Sequence, residues 1–102
     1  MQSFHAIGRL TRQPNLIYKG DKPRCEMVIA VEDHTRNRTE FFPIVAWHQQ
    51  AINCANYLVK GQEVAIVGKW RSSNYKKDGI SMTKFEVEIS EIKFQQPPKK
   101  AN

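Results

Sequence analysis

Residues 68–79 read GKWRSSNYKKDG, and in them Trp70 and Tyr75 stand among Lys69, Arg71, Lys76 and Lys77 with no acid before Asp78. Two kinds of chemistry meet in such a stretch. A flat ring stacks on the face of an unpaired base at about 1–3 kcal/mol per base, and Lys or Arg neutralises a phosphate and releases its counterions. Ring and cation together suit a single strand: a duplex hides its base faces, and because every base has a π-face, little sequence preference is expected. Trp70 also carries a packing reading, since it alternates in phase with Val64 and Ile66 and so points to the core or the rim of the fold. Tyr75 lies beyond that apolar alternation, beside charges, and is expected to face ligand from a loop. Phe41 and Phe42 are neighbours and face opposite sides of any strand; Phe41 shares phase with Val45 and Trp47, Phe42 with Ile44, and the pattern leaves open which is inside.

Catalytic patterns are not found. His5, His34 and His48 have no HxxxH or HExxH spacing, no Ser sits in a GxSxG elbow, and there is no Gly-rich phosphate loop. Glu32–Asp33 reads as a solvated turn and Glu86, Glu88 and Glu91 as the outer side of a strand, so neither is expected to hold a metal. Cys25 and Cys54 lack a CxxC or a neighbouring ligand set and read as reduced structural thiols. A non-enzymatic binder without cofactors is expected. The rivals are a metal-dependent nuclease on a small β-barrel, an RNA-binding domain, and a module whose rings meet protein.

The 102 residues allow one domain. Sixteen Lys and Arg against 10 Asp and Glu give a net charge of +6, which favours an acidic polymer as partner over an anionic membrane. No stretch approaches the roughly 18 apolar residues of a membrane span, and MQSFHAIGRL lacks a secretory layout, so a cytoplasmic, unprocessed chain is expected.

Short apolar runs between turn signals set the expected elements. Strands are predicted over 3–10, 24–31, 40–47, 63–70 and 84–94, with a turn at TRQPN and another at KGDKP. Pro43 predicts an edge or a bulge in the third strand, and the phase change from Phe85, Val87 and Ile89 to Ile92 and Phe94 predicts a bulge in the last. Residues 48–60 change to helical period, with Ala51, Ile52, Ala55 and Leu58 on one face and Gly61 as the C′ residue. In EVAIVGKW both faces are apolar, Val64 and Ile66 on one and Ala65 and Val67 on the other, so a second copy of the chain is expected to cover the outer face. Three strands, a helix and two strands match an all-β, five-stranded OB-fold barrel, whose loops between strands 1–2 and 4–5 bind oligonucleotides or oligosaccharides. QQPPKKAN closes the chain as a short basic tail, expected disordered from 96 to 102.

GRLTRQPNLIY, FFPIVAW and above all ANYLVKGQEVAIVGKWRSSNY make residues 2–95 similar to the bacterial single-stranded DNA-binding protein family. The resemblance implies an OB-fold that assembles, usually as a homotetramer, and wraps single-stranded DNA in replication, recombination or repair, in the bacterial cytoplasm at the nucleoid. It implies stacking residues at His34, Phe41, Trp47 and Tyr75 and basic positions at Lys60 and Arg71; Lys76 and Lys77 are added from charge and position. His34 stands where the family usually has Trp, Ile17 where a basic residue is common, and the loop 32–40 is shorter than usual. The chain stops at PPKKAN without the acidic-hydrophobic tip that family members use to recruit replication and repair partners. That resembles primosomal replication protein B, a dimeric relative acting with restart proteins, or an accessory paralogue of a mobile element or phage.

Overall fold

The computed structural model describes residues 3–97. Six strands and one helix follow in the order β1 (Phe4–Leu10), β2 (Asn15–Lys19), β3 (Lys22–Asp33), β4 (Arg38–Trp47), α1 (His48–Tyr57), β5 (Glu63–Lys77) and β6 (Ile80–Phe94). The strands form one sheet in the order β1-β5-β6-β4-β3-β2, and β1 also pairs with β3, so the hydrogen bonding returns from β3 to β1 and leaves β2 as an appended hairpin arm. β4 and β6 run parallel at Ile44–Val87 and Val45–Glu88; the other pairs are antiparallel. Inside lie Leu10, Cys25, Met27, Ile29, Ile44, Ala46, Val64, Ile66, Val87 and Ile89, capped by Ala51, Cys54 and Leu58. Burial pushes the Cys25 thiol up to about 11 and the Cys54 thiol to about 12, so both stay protonated and packed at neutral pH. No helix among the described residues is long and apolar enough to cross a membrane.

Six strands are present where five are predicted, and the last two are far longer. Asn15–Lys19, expected within the connection after the first strand, pairs residue for residue with Lys22–Glu26 across a turn at Gly20 (φ 64°). β5 continues beyond Trp70 to Lys77 and β6 begins at Ile80 instead of residue 84. They meet at Asp78–Gly79, with φ of 52° and 79°, the doubly left-handed turn whose twist matches a two-residue hairpin. This arm is polar and exposed on both faces from Trp70 to Lys77, so no apolar alternation marks it as strand.

The helix ends at Tyr57, three residues before the predicted end, where Leu58 turns to ψ 149° so that its side chain enters the core. Gly61 has a positive φ (88°) but serves the turn into β5, its N–H donating to the Leu10 carbonyl at 2.8 Å, instead of capping the helix. Of the two expectations for Pro43 the bulge is absent, since β3 and β4 stay in register through Val28–Pro43, while on the other side of β4 the pairing with β6 begins only at Ile44, so Pro43 lies at an unpaired edge there. The Val28 carbonyl accepts from Thr11 N–H at 2.9 Å, away from β4, so no donor is missed at Pro43. The expected bulge in the last strand is present, since Val67 faces Glu91 while Gly68 faces Ile89, leaving Ser90 unopposed. Ser90 Oγ donates to the Val67 carbonyl at 2.9 Å and fixes it. Gln96 accepts from Glu63 N–H, and residues 98–102 of the expected tail lie outside the described residues.

Candidate nucleic-acid interface

Residues directly opposite in a ladder share a face. On β4 the core side carries Phe42, Ile44 and Ala46; Phe41, Pro43, Val45 and Trp47 therefore face out, opposite Ala30, Val28, Glu26 and Arg24 of β3. Across the parallel pair, Val45 shares its side with Glu88, hence with Glu86 and Lys84 of β6. Across the hairpin, Lys69, Arg71, Ser73, Tyr75 and Lys77 face the same way, opposite Glu88, Glu86, Lys84, Met82 and Ile80. Phe41, Trp47 and Tyr75 thus stand on one side of the continuous strands β3, β4, β6 and β5.

Phe41 is 62 % and Tyr75 44 % exposed, and Ile80 and Met82 add exposed apolar surface beside Tyr75. Counting along the parallel strands from Val45–Glu88, Phe41 comes level with Lys84, so Phe41 and Tyr75 occupy one end of the face and Trp47 the other. Along β4, Phe41 and Trp47 are about 20 Å apart at the usual rise per residue. Phe42 takes the inner position: with Phe4 and Trp70 it forms edge-on contacts at centroid distances of 5.0, 5.5 and 6.1 Å. Trp70 is therefore part of an aromatic rim, as one of its two readings has it, and stands on the side of the hairpin opposite Tyr75.

Trp47 is half-buried beside the Arg24 guanidinium, whose Cζ lies over the ring at 5.2 Å from its centroid. Arg24 Nη1 and Nη2 donate to the two Glu86 oxygens at 2.9 and 2.6 Å, and Nε donates to Glu26 at 2.9 Å. Those hydrogen bonds hold the Glu86 carboxyl below its ordinary 4.5 and raise Arg24, although burial opposes both. A carboxyl depressed in the folded state contributes stability that is complete above about pH 4.5 and is lost as acid titrates it through the lower folded value. Arg71 is similarly engaged, donating to Glu88 at 3.3 and 3.2 Å.

The expected loop position of Tyr75, Lys76 and Lys77 is corrected: all three lie within β5. As strand neighbours they alternate, so Lys77 faces out with Tyr75 while Lys76, opposite Ser81, faces the other way. His34 is exposed on the turn after β3, its Nε2 at 3.6 Å from Glu32, where Asp33 Oδ1 accepts from the Thr35 and Arg36 N–H groups. Lys60 lies in the turn after α1, where its N–H donates to Gln13 Oε1 at 3.3 Å, outside the strands that carry the three rings. Two cations missed from sequence, Arg12 and Lys84, line an outer hollow with Arg24, Pro43 and Glu86. Lys84 becomes legible once the Asp78–Gly79 dipeptide is read as a hairpin turn, which sets the strand phase; Arg12 reaches the hollow only through the β1–β3 pairing and has no local signal.

Residues 1–95 match the single-strand binding protein family, and the chain belongs to it. It is 34% identical over 103 residues to single-stranded DNA-binding protein 2 of Clostridium acetobutylicum, covering 94% of this chain and 77% of that protein. It is 35% identical over 95 residues to the single-stranded DNA-binding protein of Clostridium tetani, covering 86% of this chain and 66% of the relative. Single-stranded DNA-binding protein 1 of Clostridium acetobutylicum is 31% identical over 109 residues, covering 99% of each.

Proposed function

We propose that this chain binds single-stranded DNA with little sequence preference, stacking bases on Phe41, Trp47 and Tyr75 while cations along the same side neutralise phosphates. The observation that carries the reading is the shared outward face of those three rings across β4 and β5, together with Arg12, Arg71, Lys77 and Lys84. Glu26 and Glu86 are occupied by Arg24 and Glu88 by Arg71, so these three acids of the face are already matched. His34 and Lys60 extend the contact surface beyond the rings, and Lys76 adds charge on the reverse of the arm. The closed run of pairings from β1 round to β3 supports reading residues 1–95 as an OB-fold barrel domain with an added β2. The names of the relatives support the ligand, and from that ligand we infer a non-enzymatic role in replication, recombination or repair at the nucleoid.

Titration of a labelled thymidine oligomer against unlabelled single strand and duplex tests the ligand. Single strand is expected to compete and duplex to compete poorly, with log K falling by about 0.7 per phosphate contact as log salt rises. Lys77→Ala and Lys84→Ala should each flatten that slope by roughly one contact. Equal competition by duplex would remove the proposal.

We further read the chain as a homo-oligomer, a tetramer with a dimer as the alternative. Ile7 of β1 is opposite Ala65 and His5 opposite Val67, so an apolar outer patch sits beside the Phe4, Phe42 and Trp70 rim, with Ile7 itself largely exposed. A patch of that kind marks an association site. Particle mass with and without an oligomer of about 35 thymidines, room for several sites of roughly 4–16 nucleotides, separates the outcomes. A tetramer fits the ordinary single-strand binder and a dimer the restart-type relative; a monomer at micromolar concentration overturns the assembly.

A further inference from the structure

We propose that Arg24 is a positioning residue for Trp47, holding the indole so that one ring face is covered by guanidinium and the other is left for a base. The proposal rests on the reading of Trp47 as a stacking residue. Arg24 is 8 % exposed, the one charged residue in the buried set among the described residues. Each of its three nitrogens donates to a carboxylate: Nη1 and Nη2 to the two oxygens of Glu86 and Nε to one of Glu26. So held, the guanidinium carbon lies over the ring of Trp47, its register partner across the β3–β4 ladder. With three of its five N–H donors held by two carboxylates that also offset its charge, Arg24 is engaged within the fold, which sets it apart from Lys77 and Lys84.

The clamp also explains Val45. Val45 is 1 % exposed yet outside the core cluster, on the outward side of β4 between Glu26 of β3 and Glu88 of β6. An Arg24 side chain bonded to Glu26 on β3 and Glu86 on β6 must pass over β4 at that point, and its stem supplies the cover. One side chain thereby ties three strands together and fixes the indole relative to β6, the strand that carries the hairpin of Tyr75. Fixing a ring before ligand arrives spares the entropy of ordering it on binding, and a desolvated cation over indole is the strongest of the common cation–π arrangements.

Two measurements test this on the full chain. In the first, Arg24→Lys is made with Trp47 present and with Trp47→Ala, and binding of a thymidine oligomer is compared where melting shows every variant folded. Arg24→Lys is expected to weaken binding about three- to tenfold beside Trp47 and less than about twofold beside Ala, the size of a buried cation–π contact. An equal loss in both backgrounds overturns the proposal, since Arg24 would then act as a charge or through the fold at large. In the second, Trp70→Phe leaves Trp47 as the only indole, and acrylamide quenching is read in the free protein. Arg24→Lys and Glu86→Gln are each expected to raise the quenching constant; no change overturns the proposal without reference to DNA. Should Trp47→Ala alone leave affinity unchanged, the stacking reading fails instead, and quenching still decides whether Arg24 holds the ring.

Discussion

Replacing Trp47 and Tyr75 together by Ala is expected to weaken binding of a thymidine oligomer by about 2–6 kcal/mol, because each ring that holds one base contributes about 1–3 kcal/mol. The two losses should add. Trp47 ends β4 at the level of Ser90, while Tyr75 faces Met82, so roughly 25 Å of strand separates them and they share no partner. Tyr75, exposed on an arm that projects from the core, carries little of the fold, and its replacement should leave the melting temperature nearly unchanged. Trp47 is half-buried and sits beneath Arg24, so its removal costs some stability as well as affinity, and binding must be compared at a temperature where both proteins are folded. Anisotropy titrations at one fixed salt concentration give the difference. A double variant within twofold of the parent would place the bases elsewhere, whatever the face looks like.

Sequence carried the core and lost the arm. Where one face is buried, alternation survives as a signal: 24–31 and 40–47 lie within β3 and β4, and the phase slip between Ile89 and Ile92 marks the Ser90 bulge. Where both faces meet water, alternation means nothing, and SSNYKK reads as loop although it is strand opposite Ile80–Phe85. The hydrogen bonds of that arm are satisfied between its own two strands and closed by the Asp78–Gly79 turn, so it needs no core to be regular. Asn15–Lys19 fails to show for a related reason: Leu16 and Ile17 are adjacent and both half-buried, so no period of two appears. For the site, local phase was enough to put Phe41 with Trp47, and an unbroken register through Pro43 keeps them together. Tyr75 joins them only through β6, whose pairing with β4 runs from Ile44 to Val87, and the Arg24–Glu86 clamp spans 62 positions, distances over which periodicity carries no information. Charge misled in one respect: Lys76 and Lys77 are alike in composition, and only the strand pleat separates them.

Gly68→Ala is expected to destabilise the fold by about 1–3 kcal/mol and to misdirect the arm. A Cβ at residue 68 would come within 2.5 Å of the Glu88 carbonyl oxygen and 2.8 Å of Val87 Cγ1. Neither neighbour can yield cheaply, since one is backbone in a ladder and the other belongs to a fully buried side chain. Gly68 is also where the β5–β6 register slips past Ser90, and every residue from Lys69 to Lys77 takes its direction from that point. Pushing the strands apart there strains the Ser90–Val67 hydrogen bond and swings the arm that bears Arg71, Tyr75 and Lys77. Two readouts should therefore move together: a melting temperature lower by about 4–8 °C for each kcal/mol lost, and an affinity for single strands that falls even well below the melting point. Gly20→Asn is the control, because Gly20 has a positive φ with open space around it and Asn tolerates that conformation, so stability and binding should both hold. If Gly68→Ala melts and binds like the parent, the close approach of β5 to β6 is not what aims the arm, and the shared face of Tyr75 with Phe41 and Trp47 loses its structural cause.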